Sequence, residues 1–138
     1  MKNRIIIIAI SMFVVMILVG CDAEIPAPVA LETTSPAVIT PSQAMYIMAY
    51  RDVIILDVRT PDEFNTGHIP NAILLPVDEI AYAVTGMIPD KEQTILIYCR
   101  SGRRSADAAN ILVNMGYLNV YDFGGIINWT GEIQTISQ

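Results

Sequence analysis

From about residue 40 onward, short runs of continuous apolar residues alternate with longer stretches of mixed pattern. Val53-Ile54-Ile55-Leu56, Ala72-Ile73-Leu74-Leu75 and Thr94-Ile95-Leu96-Ile97-Tyr98 have the length and unbroken apolarity of strands buried on both faces. Asn119-Val120-Tyr121 is a fourth. Between them, Pro41-Ser42 opens a helix that carries Ala44, Met45, Ile47 and Met48 on one side. Thr60-Pro61-Asp62-Glu63 has a capping Thr, Pro at the first helical position and a Glu three residues after the cap, and so starts another helix. Helix is predicted again over Val77 to Thr85, stopping at Gly86, and over Ser101 to Met115, with small Ala106, Ala108 and Ala109, closed by Gly116. Gly124-Gly125 leads into a last short helix around Asn128-Trp129. Strands alternating with helices in this way specify an α/β fold with a parallel sheet covered on both faces. Working residues in such folds stand at the carboxyl ends of strands, where Asp57, Cys99 and Asp122 fall.

The first forty residues follow a different pattern. Lys2 and Arg4 precede an uncharged apolar run from Ile5 to Val19, the layout of a secretory signal. Leu18-Val19-Gly20-Cys21 resembles the lipobox of bacterial lipoproteins. That resemblance implies removal of residues 1–20, a diacylglycerol thioether on Cys21, and a membrane-anchored protein whose domain lies on the extracytoplasmic side. Residues 21–38 hold Pro26, Pro28 and Pro36 among small side chains and read as an extended tether. The folded domain is expected over residues 39–138, and 138 residues in all suit one domain.

Charge then singles out one place in that domain. Cleavage before Cys21 removes Lys2 and Arg4 from eight basic residues, leaving six against fourteen acidic ones, a net of −8. Such a surface does not attract nucleic acid or anionic lipid. Three of the six remaining cations, Arg100, Arg103 and Arg104, stand within five positions of Cys99. With Cys21 alkylated by lipid, Cys99 is the sole free thiol and has no disulfide partner.

Cys99-Arg100-Ser101-Gly102-Arg103-Arg104-Ser105 joins the end of a strand to the start of a helix. Unpaired N–H groups and the positive end of the helix dipole make such a turn a cradle for anions. They also lower the pKa of a thiol placed there, from about 8.5 to as low as ~3.5–7.5. Gly102 permits positive φ and keeps the cradle open. Arg100 and Arg104 are expected to bind the anion, while Arg103 has an alternative partner in Asp107. Asp57 and Arg59 end the neighbouring strand and are expected to be structural, Asp57 buried and Arg59 paired with Glu63. His68, the single histidine, sits in a Gly-His-Ile-Pro turn and is expected to serve as a structural hydrogen-bonding group. No metal or cofactor is expected, since one histidine builds no His-rich metal site.

These residues resemble the single-domain form of the rhodanese (sulfurtransferase) family over roughly Thr40 to Glu132. The motifs are Leu56-Asp57-Val58-Arg59 with Pro61, Glu63 and Phe64; Gly67-His68-Ile69-Pro70-Asn71-Ala72; Tyr98 through Ser105; and Gly124-Gly125-Ile126-Ile127-Asn128-Trp129. Asn71 stands where the family usually has Gly, a substitution that a turn tolerates. The resemblance implies a central, mostly parallel five-stranded sheet and a thiolate at Cys99 that accepts a sulfane sulfur. Arg100, Ser101, Gly102, Arg103 and Arg104 would bind the donor and then the outer sulfur, with Asp57, Arg59 and Ser105 in support. Small anionic donors such as thiosulfate or polysulfide, and thiol or cyanide acceptors, would be the partners, together with a sulfur-accepting protein.

Two other functions share parts of this pattern. Cysteine phosphatases and arsenate reductases also set a cysteine at the base of an arginine-bearing loop, but place the arginine six positions on. Here that position is Ser105 and Arg104 is the fifth, which makes a tighter ring. A sulfane-sulfur carrier or interaction module would use the same cysteine without turnover.

Overall fold

A computed structural model describes residues 35–136. The signal, Cys21 and most of the expected tether lie outside these residues. Five strands form one sheet: β1 (Ala37–Val38), β2 (Ile54–Asp57), β3 (Ile73–Leu74), β4 (Thr94–Cys99) and β5 (Asn119–Gly125). Their order is β1-β5-β4-β2-β3, and every pairing is parallel. The helices are α1 (Pro41–Tyr50), α2 (Pro61–Thr66), α3 (Ile80–Met87) and α4 (Arg103–Asn114), with single 3-10 turns at Val77–Glu79 and Ile126–Asn128.

Side-chain alternation along β4 sorts the core into two layers. Ile95, Ile97 and Cys99 pack with Ile80 and Val84 of α3 and with Ala108, Ala109 and Leu112 of α4. Leu96 and Tyr98 point the other way, toward Ala44, Ile47 and Met48 of α1. Helices on both faces are what continuous apolar strands require, because neither face of β4 meets water. The alanines of α4 let that helix lie close to the sheet. Cys99 therefore emerges on the face that α4 covers.

Several boundaries differ from those the pattern predicts. β1 lies ahead of the boundary expected at residue 39, where it pairs with Tyr121 and Asp122. Ala72–Leu75 is not a buried strand; only Ile73–Leu74 pair, at the sheet edge, and Ile73 is exposed. The helix expected to stop at Gly86 begins instead as a 3-10 turn and runs to Met87, because Ile88 caps it by donating its N–H to Val84 and buries its side chain beneath. Capping signals proved accurate where both halves were present. Thr40 with Gln43 and Thr60 with Glu63 each form a reciprocal capping box, with Pro at the first helical position. Asn71 takes φ 64°, a left-handed conformation that Asn accepts more readily than most residues.

Asp57 and Cys99 close their strands as expected. Asp122 does not. β5 continues three residues beyond it because the ladder shifts register between Ile97 and Cys99 and brings Gly125 opposite Cys99.

Candidate active site

Cys99 is the last residue of β4 and is fully buried. The chain then turns through Arg100 and Ser101 to Gly102, whose φ of 108° lies in the left-handed region, and enters α4 at Arg103. The helix thus starts two residues later than its sequence pattern predicts. Those two residues form a loop that curls back over the sulfur. The Gly102 N–H donates to Cys99 Sγ at 3.0 Å. Burial pushes the Cys99 thiol up, but backbone N–H groups of Ser105, Gly102 and Ser101, with the Ser105 hydroxyl, favour the anion more strongly, so its pKa falls below the ordinary value. A thiolate is thereby stabilised without a histidine base.

The loop is held from beneath by the Gly124-Gly125 segment. An added Cβ at Gly125 would lie 2.5 Å from the Arg100 carbonyl oxygen and 2.7 Å from Ser101 Cα, so only glycine fits under the loop. Asp122 Oδ1 accepts the Gly124 N–H at 2.9 Å, which fixes that segment from inside the strand. Ser105, buried on the first turn of α4, donates from Oγ to the Gly102 carbonyl at 2.9 Å and lies 3.3 Å from that of Gly124. The Ile127 N–H reaches the Arg100 carbonyl at 3.3 Å. Sequence patterning did not single out Gly125 as a seat for the loop. The paired glycines after a strand were the available signal.

The ion pairs are arranged differently from the expected ones. Arg59 does not meet Glu63. Its guanidinium grips Asp57 instead, at 2.6 Å from Nη2 to Oδ2 and 2.9 Å from Nε to Oδ1, and Nη2 also donates to the Gly67 carbonyl at 2.7 Å. Both residues are buried, as expected for Asp57, and Arg59 lies over the Tyr98 ring at 5.6 Å. Tyr98 Oη accepts the Ile69 N–H at 3.1 Å, so the residue preceding Cys99 is anchored at its far end. Glu63 binds Arg104, at 2.7 Å from Nη1 to Oε2 and 2.8 Å from Nη2 to Oε1. The Arg104 guanidinium beside it holds the Glu63 carboxyl down at about 2. Its pairing with Arg104 is therefore complete above about pH 4.5 and is lost only as pH falls through about 2. Arg104, raised above its usual value first by Glu63, also feels the negative charge of Cys99. Arg103 faces Asp107 at 3.5 Å on the surface, the alternative its position allowed. Arg100 has no ion pair among the described residues.

His68 takes the structural role expected of it. It is buried, its ring stacks on Phe64 at 3.8 Å, Nδ1 lies 2.9 Å from the Phe64 carbonyl, and its backbone pairs with Gln134. No group of three or more metal-ligating side chains occurs among the described residues.

A rhodanese-like domain model matches residues 40–132, more than half of the chain. The chain belongs to the rhodanese-like family. It is 38% identical over 71 residues to the thiosulfate sulfurtransferase PspE of Escherichia coli, covering 51% of this chain and 68% of that protein. Over 79 residues it is 42% identical to a sulfurtransferase of Allochromatium vinosum, covering 56% of this chain and 72% of the relative. Among solved structures, a rhodanese with anions from E. coli superposes with a TM-score of 0.58 at 32% identity, covering 61% of this chain and 99% of that one. A rhodanese-like domain protein from Staphylococcus aureus gives 0.62 at 30% identity, covering 73% and 99%. The rhodanese domain described here is thus a rhodanese-type enzyme, and sulfur transfer is its activity at family level.

Alkylation of Cys99 by iodoacetamide across pH tests the cradle. The wild-type rate should reach half its plateau below the ~8.5 of an ordinary thiol. Ser105→Ala and Gly125→Ala should both move that midpoint upward, the first by removing a donor and the second by displacing the loop. A wild-type midpoint at or above that of a free thiol contradicts the stabilised thiolate.

Proposed function

We propose that this chain carries sulfane sulfur on Cys99 as a covalent persulfide and passes it to a thiophilic acceptor. The observation that carries the reading is the Gly102 N–H donated to the Cys99 sulfur at 3.0 Å from the loop that opens α4, with the Ser101 and Ser105 amides adding to the stabilisation of its negative charge. Thiolate attack on a sulfane sulfur is thiol–sulfur exchange, which needs a low-pKa nucleophile and a stable leaving group. With thiosulfate, the Cys99 thiolate attacks the outer sulfur, a new S–S bond forms, and the old S–S bond breaks with its electron pair leaving on sulfite. The persulfide that remains is itself an anion, and the same N–H groups suit its outer sulfur. Cyanide or a thiolate then attacks that sulfur and restores the Cys99 thiolate. The two half-reactions make this covalent, ping-pong catalysis.

The tight loop also favours sulfur over phosphate. Arg104, the fifth residue after Cys99, is engaged by Glu63, and position 105 supplies a hydroxyl rather than a guanidinium. A tetrahedral phosphoryl group would require a wider ring of donors and an arginine free to clamp two of its oxygens.

Thiocyanate formation from thiosulfate and cyanide tests the reading. Cys99→Ser should lose this activity by at least roughly a thousandfold, since covalent catalysis has no substitute nucleophile there. Aryl phosphate hydrolysis should stay at background for both proteins. Phosphate hydrolysis exceeding sulfur transfer would overturn the assignment. A persulfide that neither cyanide nor small thiols discharge would make the protein a carrier instead of an enzyme.

Cys21 bears on where this chemistry takes place. The Leu18-Val19-Gly20-Cys21 sequence after an apolar run supports lipidation at Cys21 and a membrane-held domain on the extracytoplasmic side. Two or three acyl chains, at about 0.8 kcal/mol per buried methylene, are enough for stable anchoring. Metabolic labelling with a fatty acid should mark the wild type and not Cys21→Ala. Equal labelling of the two contradicts the anchor.

A further inference from the structure

The loop beside Cys99 displays three arginines, but most of their charge is already matched. Glu63 takes two N–H groups of Arg104, Asp107 faces Arg103, and only Arg100 is without an ion pair among the described residues. A cleft of about 450 Å³ between the Val77–Glu79 turn, α3 and the first turns of α4 repeats the balance. Asp78 from the 3-10 turn and Asp107 beside Arg103 and Arg104 on α4 line it, with Val77 and Ile111 supplying apolar wall. An anion arriving at Cys99 therefore meets about one unmatched positive charge and not three.

Glu63 is fixed in this arrangement. It is the third residue of the α2 capping box, and the Oε2 that binds Arg104 also accepts the Thr60 N–H at 3.1 Å. The carboxylate cannot swing away from Arg104 without uncapping α2. Arg104 in turn stands on the first turn of α4, between the Gly102 whose N–H donates to the Cys99 sulfur and the Ser105 that bonds the Gly102 carbonyl, and its guanidinium feels the thiolate's charge, so Glu63 acts on the thiolate's immediate surroundings through a single guanidinium.

Donors differ in how much they depend on that guanidinium. Reaction with thiosulfate gathers three negative charges at the loop, one on the thiolate and two on the donor, and releases sulfite as a dianion. Reaction with an organic hydropersulfide in its protonated form, R–S–SH, gathers only one at the reacting atoms. The Cys99 thiolate attacks the terminal sulfur, the R–S bond to that sulfur breaks with its electron pair leaving as R–S⁻, and the transferred sulfur first carries the proton as Cys99–S–SH and then releases it to give the persulfide anion. Sulfur is exchanged between equivalent oxidation levels, and no further reactant is needed.

We propose that Glu63 is a specificity-determining residue that withholds the Arg104 charge from the incoming donor, disfavouring dianions such as thiosulfate relative to organic hydropersulfides. This rests on the sulfur-transfer reading of Cys99. The apolar wall and paired charges of the adjacent cleft suit the carbon-bearing, zwitterionic part of an amino-acid or peptide hydropersulfide better than they suit an inorganic dianion.

The test compares loading of Cys99 by thiosulfate and by cysteine hydropersulfide, using the full-length protein and reading the rate of sulfur gain by mass. Glu63→Gln keeps the capping box, since Gln serves at that position, but frees the guanidinium. Thiosulfate kcat/KM should rise roughly tenfold, as expected for uncovering one charge a few ångströms from a dianion in a partly screened site. The hydropersulfide value should move by no more than about twofold. Arg104→Gln leaves Glu63 facing the site alone and should shift preference the other way, with thiosulfate losing at least about tenfold more than the hydropersulfide. A fall in thiosulfate loading in Glu63→Gln, or equal shifts for both donors in either variant, overturns the role given to Glu63. Failure of wild-type Cys99 to gain sulfur from either donor overturns the sulfur-transfer reading beneath it.

Discussion

The Gly102 N–H donates to the Cys99 sulfur, the amides of residues 101 and 105 add to the stabilisation of its charge, and the remainder of the candidate site is built so that they do. A loop this short reverses direction only through positive φ at Gly102. It then needs a floor that does not intrude, which Gly125 provides by having no side chain. Gly125 stands opposite Cys99 because the β4–β5 ladder shifts register just before it, and Asp122 holds the preceding Gly124 by its N–H. Backbone donors at a helix start cost no further reorganisation when negative charge appears, which makes them suitable for a group that alternates between thiolate and persulfide.

Around that centre the ion pairs divide into two kinds. Asp57 and Arg59 are buried together, share three side-chain hydrogen bonds, and spend a fourth on the Gly67 carbonyl. Buried pairs of this kind contribute little net stability, but removal of one partner strands the other charge at a cost of about 3–5 kcal/mol. Their effect is to lock the end of β2 and the Gly67-His68 turn against Tyr98, the residue before Cys99. Glu63 and Arg104 are half-buried and adjoin the chemistry. The first pair fixes the frame, and the second adjusts the charge that the frame presents.

The fold was largely legible in the chain because its strong signals are local. Unbroken apolar strands, the Thr60–Glu63 capping box and the Gly102 turn each follow from a few adjacent residues. The strand–loop–helix around Cys99 was legible for the same reason. Long-range choices were less so. Ile73 looks like a core position until the strand order places β3 at the edge. Glu63 has two arginines within reach, and nothing in its spacing says that Arg59 turns back to Asp57 and leaves it to Arg104 from α4. The second oxygen of a capping Glu was the only trace of that pairing in the sequence. β1 escaped notice because two residues of strand, Ala37–Val38, carry no periodicity at all.

Intact-mass measurement of the protein after brief exposure to thiosulfate bears most directly on sulfur transfer through Cys99. The wild type should gain the mass of one sulfur, lose it again on addition of cyanide, and show neither change when Cys99 is replaced by Ser. A wild type that gains no sulfur, or a Cys99→Ser variant that gains it equally well, would contradict a persulfide at Cys99.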